Sequence, residues 1–442
     1  MDTNLVTALT IVAALFVHHL PLAIADITRA SSNTSAGGFT LPLFTKQTPG
    51  LTIRRGADGF LHLQHSLSSL EASNHGTTIL PESGAQHTTE VHFGTGNGRR
   101  KLLLELDATA PMTWIQCKPC HPVAAQTGAL FDGELSPTFQ HVDASVCRPP
   151  FVPDPSIHRC RFHLGAGTPG GLLVNGLVSV DEYTREDGYV FPKFVFGCAH
   201  ETHNFHNLNT FAGTLAYRRF ATQAAAAHGM ARSSYCLFRE TSRKGFLRFG
   251  AEADIPHKPH YQTTKILPVH ESAYHVSLAG VSVGGRRLAG VRPETFARRE
   301  GGEGGCIVDL GMPLTVLVEE AYRAVEDAVW SDLGRHGATR VEHAGYGLCV
   351  RATAAVKGRL PSLSLHFAGE EATLVVWPKQ LFLMVDDERA GPGQVACLAL
   401  VPGRRTVIGA LQQVDTRFVF DLKDNKLSFA PESCVQDTVP VA

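Results

Sequence analysis

Two short stretches hold acids where a fold could put them to chemical use. ELDATAPMTW places Asp107 at the end of the apolar run LLLELD, and CIVDLGMPLT places Asp309 behind a run of the same kind. From each Asp there is a Pro at +4 (Pro111, Pro313), an apolar residue at +5 (Met112, Leu314) and a Thr at +6 (Thr113, Thr315). A single Asp behind a strand is ordinarily a turn residue that bonds nearby backbone N–H groups. Recurrence of the whole pattern 202 positions later, 309 against 107, implies two similar lobes that can bring the acids face to face. Two carboxylates about 3 Å apart cannot both ionise, so one holds the proton while the other acts as a base. Such a pair can activate a water against a peptide carbonyl.

The elements that must position these acids read as strands. Glycine at 42 and proline at 25 of 442 residues punctuate short apolar runs, a pattern of strands and turns. Helical spacing is scarce; the clearest case is EEAYRAVEDAVWSDL from Glu319, with Tyr322, Val325, Ala328 and Val329 on one face. The length allows roughly three units of typical domain size. A composition of 43% hydrophobic and 18% charged residues with a net charge of -1 gives no reason to invoke nucleic acid or a polyanionic partner.

Residues 1–25 read as a signal peptide, with an apolar stretch from Leu5 to Val17 and the small-residue pattern Ala23-Ile24-Ala25. Residues 26–87 read as a removable or weakly packed leader that carries the glycosylation acceptor Asn33-Thr34-Ser35. The expected location is therefore secreted, extracellular or cell wall, with the vacuole as a variant. Ten cysteines on that route are expected to be mostly disulfides. Cys117-Lys-Pro-Cys120 would also suit a redox or zinc half-site, but no second C-x-x-C follows it. No metal and no cofactor are expected.

From about Thr88 to Cys434 the sequence resembles the pepsin family of aspartic peptidases, specifically the plant nepenthesin-like branch. The resemblance rests on FGTGN, DATAPMTWIQCKPC, FVFGCAH, SSYCLF, GGCIVDLGMPLTVLVEEAYRAV, CLAL and TVIGALQQVDTRFVFDLKDNKLSFAPESC. It implies a mainly β, bilobal pepsin-like fold with a cleft between two β-rich lobes, here 88–250 with a cysteine-rich insert and 251–442. It also implies a β-hairpin flap over the cleft, a propeptide, and Asp107 and Asp309 as the catalytic pair. The occupant of the cleft would be an extended polypeptide substrate or a protein ligand, and the chain is expected to be a monomer. Pairing of Cys349 with Cys397 is implied, as is local pairing among Cys117, Cys120, Cys147 and Cys160; Cys198, Cys236 and Cys434 are further disulfide candidates. Cys306, just before the second Asp strand, reads as an unpaired buried thiol, which would leave a second cysteine over.

Both catalytic loops depart from the family pattern. Where the family has Asp-Thr-Gly-Ser and Asp-Ser-Gly-Thr, this chain has Asp107-Ala108-Thr109-Ala110 and Asp309-Leu310-Gly311-Met312. Ala108 and Leu310 lack the hydroxyl that braces one lobe against the other, and Ala110 and Met312 lack the one that holds the outer carboxylate oxygen. Thr109 either supplies a hydroxyl one position late or, being β-branched, strains the turn; strain is the expectation. The flap turn falls on Leu164-Gly165, with Leu164 at the family's tyrosine position, or His163 there if the alignment slips by one. The expected supporting Gly of the first loop is Ala216, while Val407-Ile408-Gly409 is intact. Three lost hydrogen bonds at about 1–3 kcal/mol each imply a weakly active or inactive aspartic endopeptidase. The alternatives are a non-proteolytic, glycosidase-inhibitor-like binding protein and an active atypical endopeptidase.

Overall fold

The computed structural model describes residues 37–46, 51–55, 61–65, 86–165, 172–184, 190–205, 210–238, 243–253, 261–269, 271–299, 303–343, 346–369, 372–387 and 391–440, with backbone alone for 46, 51–55, 61–65, 86, 386–387, 391–393, 436 and 440. The expected signal peptide and Asn33 lie outside the described residues. The protein is mainly β, with two pepsin-like lobes. Strand Arg100–Asp107 shows how the pattern builds a lobe: Leu102, Leu104 and Leu106 are buried, while Leu103, Glu105 and Asp107 fall on the other face. Alternation along a pleated strand thus places Asp107 half-buried at the strand end, away from the core side.

Each aspartate strand sits in the same arrangement of neighbours. Arg100–Asp107 pairs in parallel with Gly213–Ala216, which pairs antiparallel with Trp114–Gln116, which in turn pairs in parallel with Val190–His203. In the second lobe Cys306–Val308 pairs in parallel with Thr406–Ile408, which pairs antiparallel with Thr315–Val318, itself parallel to Leu400–Gly403. The repeat legible around the two Asp residues is therefore a repeat of topology. Helix Glu319–Arg335 forms where expected, burying Ala321, Tyr322, Val325, Val329 and Leu333, with Ala328 partly buried against the core.

Within the expected leader, Phe39–Lys46 is packed as an inner strand of the large sheet. It pairs antiparallel with Arg243–Phe249 along Phe39 to Phe44 and with Gln86–Phe93 along Phe44 to Lys46. Phe39, Leu41 and Leu43 are at most 2% exposed. Burial of side chains of this size is worth about 1.5–3 kcal/mol each. The Phe39 ring stacks on Phe249 at 4.7 Å and meets Phe191 edge-on at 5.1 Å. Leu51–Arg55 and Leu61–His65 form a hairpin whose second strand lies parallel to Phe382–Asp387.

Four disulfides join Cys117 to Cys198, Cys147 to Cys160, Cys236 to Cys434 and Cys349 to Cys397. The implied Cys349–Cys397 bridge is present. Pairing within the insert is corrected in part, because Cys117 reaches Cys198 and Cys120 is free. The parallel pairing of Ile115 with Cys198 brings those strands together, whereas Cys120 lies beyond them next to Thr202. Cys306 is free and buried. Burial pushes its thiol far above the ordinary range, so it behaves as a small apolar residue.

Candidate active site

Beneath each aspartate loop the Thr at +6 makes the same bond. Thr113 Oγ1 accepts from the Ala216 N–H at 3.1 Å, and Thr315 Oγ1 accepts from the Gly409 N–H at 2.9 Å. Both threonines are buried, so each hydroxyl satisfies a backbone donor that has no access to water. The Ala216 methyl is accommodated fully buried, whereas a Cβ on Gly409 would lie 2.3 Å from the Leu314 carbonyl carbon. The first loop's missing glycine is therefore tolerated, and the second loop's glycine is required.

The loops touch across the lobes. A Cβ on Gly311 would lie 2.8 Å from Leu106 O and 3.3 Å from Asp107 Cα. The Ala108 N–H donates to Asp309 Oδ1 at 3.3 Å, and the Gly311 N–H donates to the same oxygen at 2.9 Å. The cross-lobe contact at Ala108 is thus made by the backbone, although the side chain has no hydroxyl. Asp107 Oδ1 accepts three donors from its own loop: Thr109 N–H at 2.6 Å, Thr109 Oγ1–H at 2.7 Å and Ala110 N–H at 3.0 Å. The expectation that Thr109 strains the turn is corrected. Its backbone has no left-handed φ, and its hydroxyl closes on the carboxylate two residues back.

The remaining loop residues face apolar surroundings. Ala108, Ala110 and Leu310 are buried, and Met312 packs against a small cluster of Ala273, Ile307 and Val407. Neither Ala110 nor Met312 has a side-chain donor, so among the described residues the only side-chain hydroxyl on the pair is that of Thr109. Asp309 is 5% exposed while Asp107 is half-buried. Burial, then the charge of Asp107, holds the Asp309 carboxyl well above the usual carboxylate range, and the N–H groups of Gly311 and Ala108 oppose this only in part. The Asp309 carboxyl is therefore biased towards its protonated form.

On the flap, register separates the two alternatives. In strand Arg159–Leu164, Phe162 is buried against Trp114 and Met112, and Leu164 packs partly on the same cluster. His163 projects to the opposite, exposed face and bonds Asn175 Oδ1 through Nδ1 at 2.6 Å. Asn175 Nδ2 in turn donates to Glu201. Leu164, not His163, therefore stands on the Trp114 side, with Gly165 at positive φ just beyond it. Trp114 is 1% exposed in the core of the first lobe.

Sequence reading missed a buried brace behind Asp309. Gln413 Nε2 donates to the carbonyls of Asp309 at 3.1 Å and Ile408 at 2.8 Å, and its Oε1 accepts from Tyr235 O–H at 2.6 Å. Burial keeps the Tyr235 hydroxyl protonated, so it remains a donor at any ordinary pH. Paired glutamines two residues beyond Val407-Ile408-Gly409, after Ala410 and Leu411, were the available signal, since an uncharged amide in an apolar run must find partners. Among the described residues no group of three or more His, Cys, Asp and Glu side chains could hold a metal ion. Nor, among them, is any helix long and apolar enough to cross a membrane.

This fold, with one aspartate on each lobe, defines the class of pepsin-like aspartic proteases. Two family models match the chain, described as Xylanase inhibitor N-terminal over residues 89–251 and Xylanase inhibitor C-terminal over residues 273–431. Curated relatives include Aspartyl protease family protein 2 of Arabidopsis thaliana, 27% identical over 372 residues, which span 80% of this chain and 72% of that protein. Aspartic proteinase nepenthesin-2 of Nepenthes gracilis is 24% identical over 375 residues, spanning 83% of this chain and 82% of that protein. Among solved structures, edgp matches with a TM-score of 0.60 at 18% identity, covering 92% of this chain and 98% of that one. Basic 7S globulin from soybean matches with a TM-score of 0.59 at 17% identity, covering 90% and 98%. The chain belongs to the pepsin-like, nepenthesin-like family of plant aspartic proteases.

Proposed function

We propose that this protein is an acid endopeptidase of reduced rate that cuts extended polypeptides in the cleft between its lobes. The observation that carries the reading is the Ala108 N–H bond to Asp309 Oδ1, which joins the two loops into one carboxylate pair. Asp107, the more exposed acid, is the base. Its three donors converge on Oδ1, leaving Oδ2 to take a proton from a water. As that proton moves, the water oxygen attacks the peptide carbonyl carbon, and the carbonyl oxygen takes the proton held by Asp309. The tetrahedral intermediate, a gem-diol, collapses when the proton on Asp107 passes to the amide nitrogen and the C–N bond breaks. One hydroxyl of the intermediate returns its proton to Asp309, which leaves a carboxylic acid, an amine and the pair as it began. Leu164, at the flap position, packs an apolar side chain on the Trp114 cluster and supplies no hydroxyl.

The rate is reduced because Ala110 and Met312 supply no hydroxyl to the carboxylates, a loss of about 1–3 kcal/mol for each missing bond. Four disulfides support the reading of residues 1–25 as a secretion signal and of an extracellular or cell-wall location. A second reading, a protein-binding member without proteolysis, is favoured by those same apolar loop residues and by the inhibitor descriptions of the matching family models. Cleavage of a denatured protein between about pH 2 and 6 separates the two. The endopeptidase reading expects fragments that are absent with the Asp107→Asn, Asp309→Asn double variant. Equal behaviour of wild type and double variant, both folded, would overturn it.

A further inference from the structure

We propose that Thr109 is a positioning residue for Asp107, whose hydroxyl stands in for the loop hydroxyls this chain lacks. The two loops show what it adds. At the position two after each aspartate, the backbone N–H donates to the carboxylate Oδ1 in both lobes, from Thr109 at 2.6 Å and from Gly311 at 2.9 Å. Thr109 alone adds a side-chain donor, at 2.7 Å to the same oxygen. The second loop has no room for this device, because a Cβ on Gly311 would lie 2.8 Å from Leu106 O. In the first loop residue 109 is half-buried and has the space.

A hydroxyl that donates to a carboxylate favours its ionised form and fixes its rotamer. Both effects suit a base that must stay charged beside another acid. The titratable group facing Asp107 from the other lobe is Asp309, which is biased towards its neutral form. The other contacts on Asp107 Oδ1 are backbone N–H groups, which do not titrate. Thr109 is therefore the one side chain of its loop that can tune the charge of Asp107.

The kinetic part of this inference rests on the endopeptidase reading, so the test carries a second readout that does not. Full-length protein is prepared as wild type, Thr109→Val, Thr109→Ser and Thr109→Gly. Val keeps the shape without the hydroxyl, Ser restores the hydroxyl, and Gly is the second loop's own residue and guards against misfolding of the Val variant. The expected result for Val and Gly is a fall in kcat of about tenfold with KM nearly unchanged, largely recovered in Ser. Loss of a donor to the charged form raises the pKa of the base, so the acid limb of the kcat/KM profile moves to higher pH. In carboxyl-carbon NMR the titration midpoint of Asp107 rises in Val and Gly and returns in Ser. Unchanged midpoints in all variants would overturn the inference. Midpoints that rise in Val and Gly and return in Ser, with a wild type that cleaves no better than the Asp107→Asn, Asp309→Asn control, would support the positioning role while sinking the peptidase reading.

Discussion

Asp107 and Asp309 leave matching strands, yet Oδ1 of Asp107 collects three donors from its own loop while Oδ1 of Asp309 collects one from its own loop and one from the opposite lobe. Their exposure differs in the same sense, with Asp309 buried and Asp107 half-buried. A near-symmetric backbone thus produces two acids in different surroundings, of which Asp309 is biased towards its protonated form. The difference comes from which lobe supplies the donors and how much water reaches each side chain. The missing hydroxyls have also been absorbed unequally, through Thr109 in the first loop and only through backbone N–H groups in the second.

The comparison breaks most completely if the pair is dismantled. Replacing either aspartate singly, Asp107→Asn or Asp309→Asn, is expected to lower proteolysis on the order of 10³-fold or more, measured on a denatured protein near pH 3–4. Below that in size stands the contrast between the supports of the two loops. Gly409→Ala should cost about 3 kcal/mol in denaturant unfolding, because its Cβ meets the Leu314 backbone. The mirror change Ala216→Gly should cost only about 1 kcal/mol, the loss of one buried methyl group. Equal costs would show that the loops do not differ in this way.

Thr113→Val and Thr315→Val should each cost about 1–3 kcal/mol, since each leaves a buried N–H, of Ala216 or Gly409, without an acceptor. The smallest effect concerns pH. The folded-state pKa of Asp309 is raised, so its contribution to stability is full below the unfolded value of about 4 and is lost as pH rises through the folded value. Asn never ionises, so melting of Asp309→Asn should match wild type near pH 3 and exceed it by about 1–3 °C near pH 8.

The duplicated acids, the strand-rich class, the Glu319–Arg335 helix and the fate of Cys306 were legible because each depends on a short local pattern. The role of Thr109 was not, since residue type does not say which way a hydroxyl turns or how a loop closes on the carboxylate behind it. Flap register was ambiguous in sequence because a shift of one residue exchanges the two faces of a strand; the packing of Phe162 against Trp114 decides it. Cys117 and Cys198 are 81 residues apart and meet through a parallel strand pairing that no local spacing encodes. FTLPLFTK alternates as a buried strand should, but Pro42 argues against an inner strand. The structure accommodates it because pairing with Gln86–Phe93 starts only at Phe44, leaving Pro42 with a partner on one side.

The central claim is that the two aspartates form one coupled pair, and titration of the Asp309 carboxyl carbon by NMR in wild type and Asp107→Asn tests it without reference to any substrate. If the pair is assembled, the Asp309 midpoint lies well above that of an ordinary carboxylate in wild type and falls when the charge of Asp107 is removed. An Asp309 midpoint that does not respond to Asp107→Asn, in protein shown to be folded, would mean that the carboxylates do not sense each other and would contradict the account.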